Sequence, residues 1–271
     1  MNTKITALVL TGIFLIACNE EKRVKNSKTS TTSYKNKGHE LVSKMVEKVG
    51  NYEMLRKKKD VVYTYSYQTP DGKIDISTEK YIFDGELSYG SYLRHERTLS
   101  DLKGSIEQGY DGKEFWIKHN GTVLNDSTAL KRTAFNRPTN FYWFTMFQKL
   151  LDPGLEYEYL GEETINETQY DIVRVTFIST DQKPTDIYQL YINKSTLLVD
   201  QFLFTVADFG VLETPNLMKL AYTEVDGMLF PTKRAYKKST WKALVSDAPW
   251  IKVNWTDIKF NNDLNRNDFK E

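Results

Sequence analysis

A mainly antiparallel β-sheet of the α+β class, built as a single half-open barrel of about eleven strands, is predicted by three features of this 271-residue sequence. In Val61–Gln68, Val61, Tyr63, Tyr65 and Tyr67 alternate with Val62, Thr64, Ser66 and Gln68, the two-residue period of a half-buried strand. Reversal signals punctuate such runs: Pro70-Asp71-Gly72, Asp84-Gly85, Asp111-Gly112, Asn120-Gly121 and Asp226-Gly227 are the residues tight hairpin turns favour. No regular alternation of strand and helix patterns occurs, which disfavours a doubly wound or βα-barrel arrangement.

The chain opens with Lys4 as its one early charge, an apolar run from Ile5 to Ile16, and Ala17 ahead of Cys18. As a helix that run rises about 18 Å, short of the roughly 30 Å of hydrocarbon a membrane span must cross, so 1–17 is expected to be an export signal peptide. Leu15-Ile16-Ala17-Cys18 resembles the lipobox of bacterial lipoproteins. The resemblance implies cleavage before Cys18, diacylglycerol on its thiol and acylation of the new amine. Attachment at about 0.8 kcal/mol per buried CH2 over several acyl chains would be effectively permanent, so the membrane is an expected partner whatever the fold does.

Lys and Arg number 37 against 36 Asp and Glu, and loss of 1–17 removes only Lys4 from this tally, leaving the charge balanced. Without a basic excess there is no pull toward phosphate, and nucleic acid is excluded as a partner. The single Cys rules out a disulfide framework and Cys-based zinc fingers, and a mean hydropathy of −0.53 excludes a polytopic membrane protein. Beyond Cys18, residues 19–37 hold only Val24 and Tyr34 as large apolar side chains, too few to offset the entropy of ordering. Residues 18–37 are therefore expected to be a lipid anchor and flexible tether spanning roughly 25 Å, followed by one domain over 38–271.

Leu41, Val42, Met45, Val46 and Val49 share a helix face and Gly50 sits where a C-terminal cap belongs, so a short amphipathic helix opens the domain. Lys57, Lys58 and Lys59 read as a solvated turn. Strands are expected from 61–68 and 74–83 through to 229–238 and 251–260. The middle of the chain breaks the alternation: from Pro138 a helix is expected to run to Leu151, where Asp152-Pro153-Gly154 stops it. Phe141, Trp143, Phe144, Met146, Phe147, Leu150 and Leu151 cannot all face one side, so this aromatic-rich helix is expected to pack in or over the concave face of the sheet.

Four further segments carry a wider resemblance: Tyr110-Asp111-Gly112-Lys113-Glu114-Phe115-Trp116-Ile117, the run from Tyr188 to Leu198, the strand from Val199, and Asp226-Gly227-Met228-Leu229-Phe230-Pro231. With the opening helix and the tyrosine-rich strand they resemble the Lol-type (LolA/LolB-like) outer-membrane lipoprotein carrier and receptor superfamily, over roughly 38–262. The resemblance implies a half-open antiparallel barrel closed on one side by helices, with an apolar cavity that accepts acyl chains. It also implies a cell-envelope location, most simply the outer membrane facing periplasm or surface. Neither the basic residue of the shuttle members nor the protruding apolar loop of the receptor members can be matched residue by residue.

Strand alternation and the central helix nominate Tyr63, Tyr65, Trp116, Trp143, Phe144, Phe147, Phe202 and Phe204 as cavity-wall candidates. Signals for chemistry are weak. His39, His95 and His119 are isolated from one another in sequence and the one Cys is assigned to lipid, so neither a metal nor another cofactor is expected. The S-x-x-K spacing occurs at Ser77/Lys80, Ser100/Lys103 and Ser239/Lys242, but three hits in a lysine-rich chain without a K-T-G companion indicate coincidence. His95, flanked by Arg94, Glu96 and Arg97, reads as part of a surface charge ladder rather than a general base. The expectation is thus a non-enzymatic, monomeric envelope lipoprotein that holds an acyl chain of a lipid or lipoprotein. The competing expectation is an interaction or regulatory module with the same fold and a filled interior.

Overall fold

The path of the chain follows from its hairpins. The computed structural model describes residues 33–179 and 182–271, and Cys18 with the expected signal peptide lies outside them. Asn36 caps the first helix, α1 (Lys37–Val49), its side chain accepting from His39 N at 2.9 Å, and Gly50 ends it at φ +92°. Asn36 also donates to the Tyr157 carbonyl at 2.8 Å, so contact with the sheet begins inside the segment assigned to the tether. A short helix, α2 (Tyr52–Lys57), follows and ends at the first of the three lysines read as a turn.

Strands β1 (Asp60–Gln68), β2 (Ile74–Ile82), β3 (Leu87–His95), β4 (Ile106–Tyr110), β5 (Phe115–His119) and β6 (Thr122–Val123) then form an antiparallel meander. Helix α3 (Ser127–Lys149) carries the chain to the far end of the same sheet. There β7 (Leu155–Ile165), β8 (Thr168–Phe177), β9 (Ile187–Asn193), β10 (Val199–Val206), β11 (Val211–Val225), β12 (Met228–Lys238) and β13 (Ile251–Phe260) meander back. The last of them, β13, pairs with β1, giving the order β6-β5-β4-β3-β2-β1-β13-β12-β11-β10-β9-β8-β7. The end strands β6 and β7 do not pair with each other, so the sheet is not closed into a barrel.

Two expectations need correction. The sheet has thirteen strands, not about eleven; β6 is two residues long, too short for any alternation to register, and β11 begins at Val211 instead of 217. The central helix begins at Ser127, eleven residues before Pro138, because the Asp126 carboxylate accepts from Ala129 N at 2.7 Å and caps it there. Pro138 lies inside the helix with its ring exposed, where loss of one backbone N–H is offset by the contacts that pin the helix on both sides.

At 1.5 Å per residue α3 is about 35 Å long, and it crosses the inner face of the sheet. Its first half buries Ala129 with Tyr92, Ile106 and Ile117. Its middle places Phe141 and Phe144 among Tyr63, Tyr81, Phe83, Phe230 and Trp255, and its end joins Met146, Phe147 and Leu150 to α1 and strands β7–β11. The outer face of β8–β11 carries a smaller cluster, Tyr170, Ile172, Tyr191, Leu203 and Leu217, covered by Trp241 and Trp250 of the β12–β13 connection. All of these clusters lie within Tyr34–Glu271, one compact unit, which meets the physical requirement for independent folding.

One polar group is sealed between α3 and the sheet. Arg137 and Glu79 are both 0% exposed and form a two-pronged pair at 2.8 and 3.3 Å. Ser77 Oγ donates to the same carboxylate at 2.7 Å, and the Tyr81 hydroxyl at 2.9 Å. The pair fits because position 90 lacks a side chain: a Cβ on Gly90 would lie 2.5 Å from Arg137 Nη1.

Candidate functional site

Beyond the Tyr63, Phe144, Phe230 and Trp255 core, the inner face of the sheet and α3 part company. On each strand the side chain two, four or six positions along the same face lines open space: Tyr65 and Tyr67 after Tyr63, Arg234 and Tyr236 after Phe230, Val253 before Trp255, Phe204 after Phe202. Trp143, Thr139 and Phe135 of α3 complete the wall. The cavity is open on one side and measures about 490 Å3, within the range of small-molecule sites. Phe135 and Phe209 meet across its mouth with ring centroids 4.9 Å apart, Phe209 belonging to the single 3-10 turn Ala207–Phe209 between β10 and β11.

Of the eight wall candidates, Tyr65, Trp143 and Phe204 line this cavity and five do not. Tyr63 and Phe144 stack at 4.9 Å in the core beneath it, and Phe147 and Phe202 are packed in the cluster under α1. Trp116 lies elsewhere, buried on β5, where its indole donates to the Phe269 carbonyl at 2.7 Å and fastens the C-terminal segment. Strand alternation identifies the inward face, but not how far along that face the packing stops. The sequence reading missed Tyr67, Phe135, Met218, Arg234, Tyr236 and Val253. Arg234 had a visible signal: in Phe230-Pro231-Thr232-Lys233-Arg234-Ala235-Tyr236 it shares a face with two aromatic residues, one of them in the core.

The cavity floor is cationic and aromatic. Arg234 is 5% exposed and spreads over the Trp255 ring at 3.7 Å, donating Nε to the Pro231 carbonyl at 3.0 Å and Nη2 to the Trp143 carbonyl at 2.7 Å. Burial pushes its guanidinium down from 12.5 to about 9, because no carboxylate among the described residues pairs with it. The Tyr67 and Tyr236 hydroxyls bond each other. Burial also drives the Tyr65 phenol well above its ordinary range.

Charges nearer the mouth are satisfied locally. Arg97 pairs with Asp75 at 3.1 Å and lies over the Tyr67 ring. Asp186 accepts from Ala207 N at 2.7 Å, and burial raises its carboxyl above the usual value. A second hollow of about 430 Å3 between Lys35 and β7–β8 is ringed by Glu156, Glu158 and Arg174, which makes it a charged surface depression.

The histidines are placed apart. Both ring nitrogens of His95 face carbonyls, Thr98 O at 3.1 Å and Gly104 O at 2.8 Å, so this residue holds the β3–β4 connection. His119 engages the Lys103 carbonyl at 2.6 Å, and His39 Nδ1 accepts from Lys35 N at 3.1 Å. Among the described residues no three His, Cys, Asp or Glu side chains gather at metal-ligand spacing, and no described helix is long and apolar enough to cross a membrane.

No family model matches the chain, and no curated protein matches it in sequence. Solved structures do. A DUF1329-family protein from Desulfovibrio piger aligns with TM-score 0.50 and 14% identity, over 86% of this chain and 96% of that one. A putative outer-membrane lipoprotein-sorting protein domain from Vibrio parahaemolyticus aligns with TM-score 0.47 and 12% identity, over 84% and 97%. A LolA superfamily protein from Nitrosomonas europaea aligns with TM-score 0.46 and 14% identity, over 85% and 97%. The likeness is one of fold at low identity: this open antiparallel sheet with helices on its inner face has the fold of the DUF1329-family protein.

Proposed function

We propose that the protein is a cell-envelope lipoprotein, anchored through Cys18 at the outer membrane facing periplasm or surface, that shelters an acyl chain of a lipid or lipoprotein in the cavity under α3. The observation that carries this reading is the aromatic cavity of about 490 Å3 left open inside an otherwise packed sheet-and-helix domain. An interior with that much unfilled, aromatic-walled volume supports a binding role over a scaffold with a filled core. The mechanism is burial without chemistry: sheltering a few hundred Å2 of acyl chain at roughly 25 cal/mol per Å2 provides several kcal/mol, returned when the chain passes to a membrane. The fold supports this, because an unclosed sheet with a helix across it can open at the mouth without breaking a ladder of strands.

The test is uptake of a fluorescent fatty acid by the delipidated unit 34–271, read together with native mass spectrometry of material purified without detergent. Saturable uptake at micromolar ligand, or a lipid mass released on denaturation, is the expected result. No uptake and a clean apo mass after incubation with envelope lipids would overturn the reading in favour of an interaction module.

A further inference from the structure

The cavity wall holds one buried cation that the described residues leave without a counter-ion. Arg234 is 5% exposed, and a guanidinium has five N–H donors. Nε and Nη2 reach the Pro231 and Trp143 carbonyls, while Nη1 makes no hydrogen bond among the described residues. The other charges lining the cavity are bonded or solvent-exposed: Arg97 is held by Asp75 at 3.1 Å, Asp186 is bonded to Ala207 N, and Arg132 and Asp208 are exposed. A buried cation without an anion is costly, and an opposite charge brought by a ligand removes that cost where a neutral ligand does not.

Hydroxyl donors stand on the same floor. Tyr67 lies opposite Val253 and Val253 opposite Arg234, which sets Tyr67 two strand spacings, about 10 Å, from Arg234 on one face. Tyr67 and Tyr236 share a single hydrogen bond, so one of these two O–H groups is left as a donor, and the Tyr65 hydroxyl makes no hydrogen bond among the described residues.

We propose that the ligand of this cavity is an amphiphile whose head is an anionic oxyacid, a carboxylate or a phosphate monoester. Its head sits on Arg234 at the floor, and its chain runs between the aromatic walls toward Phe135 and Phe209. This rests on the reading of the cavity as an acyl-chain site and adds the head that the chain must carry and the direction in which it enters. The guanidinium suits both heads because its fork presents parallel N–H donors to two oxygens of either group. Tyr65 and the spare hydroxyl of the Tyr67 and Tyr236 pair supply the remaining donors.

The experiment is displacement of the neutral probe N-phenyl-1-naphthylamine from unit 34–271 by four amphiphiles of equal chain length: dodecanoic acid, dodecyl phosphate, dodecan-1-ol and dodecylamine. The acid, the phosphate or both are expected to displace the probe at about tenfold or more lower concentration than the alcohol, with the amine weakest. Which of the two anions acts identifies the source of the head. Arg234→Gln is expected to bring the anion to the alcohol's level while the alcohol is unchanged. Tyr65→Phe, which removes only a hydroxyl, is expected to lower the preference severalfold and serves should Arg234→Gln fail to fold. Equal displacement by acid and alcohol, or an undiminished preference in both variants, overturns the proposal and leaves the acyl-chain reading standing. Displacement by none of the four overturns both.

Discussion

Replacing Arg137 by Met tests how the helix is locked to the sheet. Arg137 and Glu79 are completely buried, and the substitution removes both arms of their contact, at 2.8 and 3.3 Å, while leaving the carboxylate in place. Breaking a buried ion pair from one side costs roughly 3–5 kcal/mol, because a charge stays desolvated without its partner. The Ser77 and Tyr81 hydroxyls, at 2.7 and 2.9 Å, continue to donate to Glu79 and place the expected loss near the middle of that range. At about 2–4 °C per kcal/mol for a domain of this size, the melting temperature should fall by roughly 8–16 °C. Thermal and urea unfolding of unit 34–271 measures it. Adding Glu79→Leu removes the stranded charge, and the double variant should recover to within about 2 kcal/mol of wild type, with the Ser77 hydroxyl now lacking its acceptor. An Arg137→Met variant within about 1 kcal/mol of wild type, or a double variant no better than the worse single one, would refute this account of the pair.

Three further outcomes follow from the same geometry. Arg234→Met should cost far less than Arg137→Met, staying within about 2 kcal/mol of wild type, because the desolvation it relieves offsets the lost stacking on Trp255 and the two carbonyl bonds. Val253→Phe adds bulk to the cavity wall and should weaken fatty-acid uptake at least severalfold while leaving unfolding midpoints within about 1 kcal/mol, since the ring has open space to enter. Gly90→Ala places a Cβ 2.5 Å from Arg137 Nη1 and 2.8 Å from Glu79 Oε1 and should destabilise by about 1–3 kcal/mol, a loss that urea titration would detect.

Local chemistry made the hairpins legible before any coordinates. Asp84-Gly85, Asp111-Gly112 and Asp226-Gly227 each turn the chain where the dipeptide stands, with the glycines at φ +82°, +98° and +78°. The opening helix was equally plain, since its five apolar residues bury a single face. Helix α3 was half legible. Its first turns bury Thr133 and Arg137, polar residues that erase the apolar period, and Pro138 looked like a start because the cap at Asp126 stands twelve residues earlier among polar neighbours. The cavity wall was legible in one dimension only. Tyr63 and Tyr65 are indistinguishable by alternation, yet the first is sealed against Phe144 and the second faces open space, because the difference depends on where α3 crosses strands that lie far from it in sequence.

The pairing of β1 with β13 has a consequence for how the molecule assembles. Val61 stands opposite Phe260, and Tyr67 opposite Val253, so the seam at the centre of the sheet joins residues nearly two hundred positions apart. The Asp60 carboxylate reinforces it by accepting from the backbone N–H groups of Asn262 and Leu264 at 2.7 and 3.1 Å. Each half of the sheet is a succession of local hairpins that can form as its residues emerge, whereas the seam requires closure of a loop containing most of the domain. The slow step of folding should therefore be the joining of two preformed half-sheets. Until β13 arrives, the inner edge of β1 is an unprotected strand edge of the kind that recruits other chains.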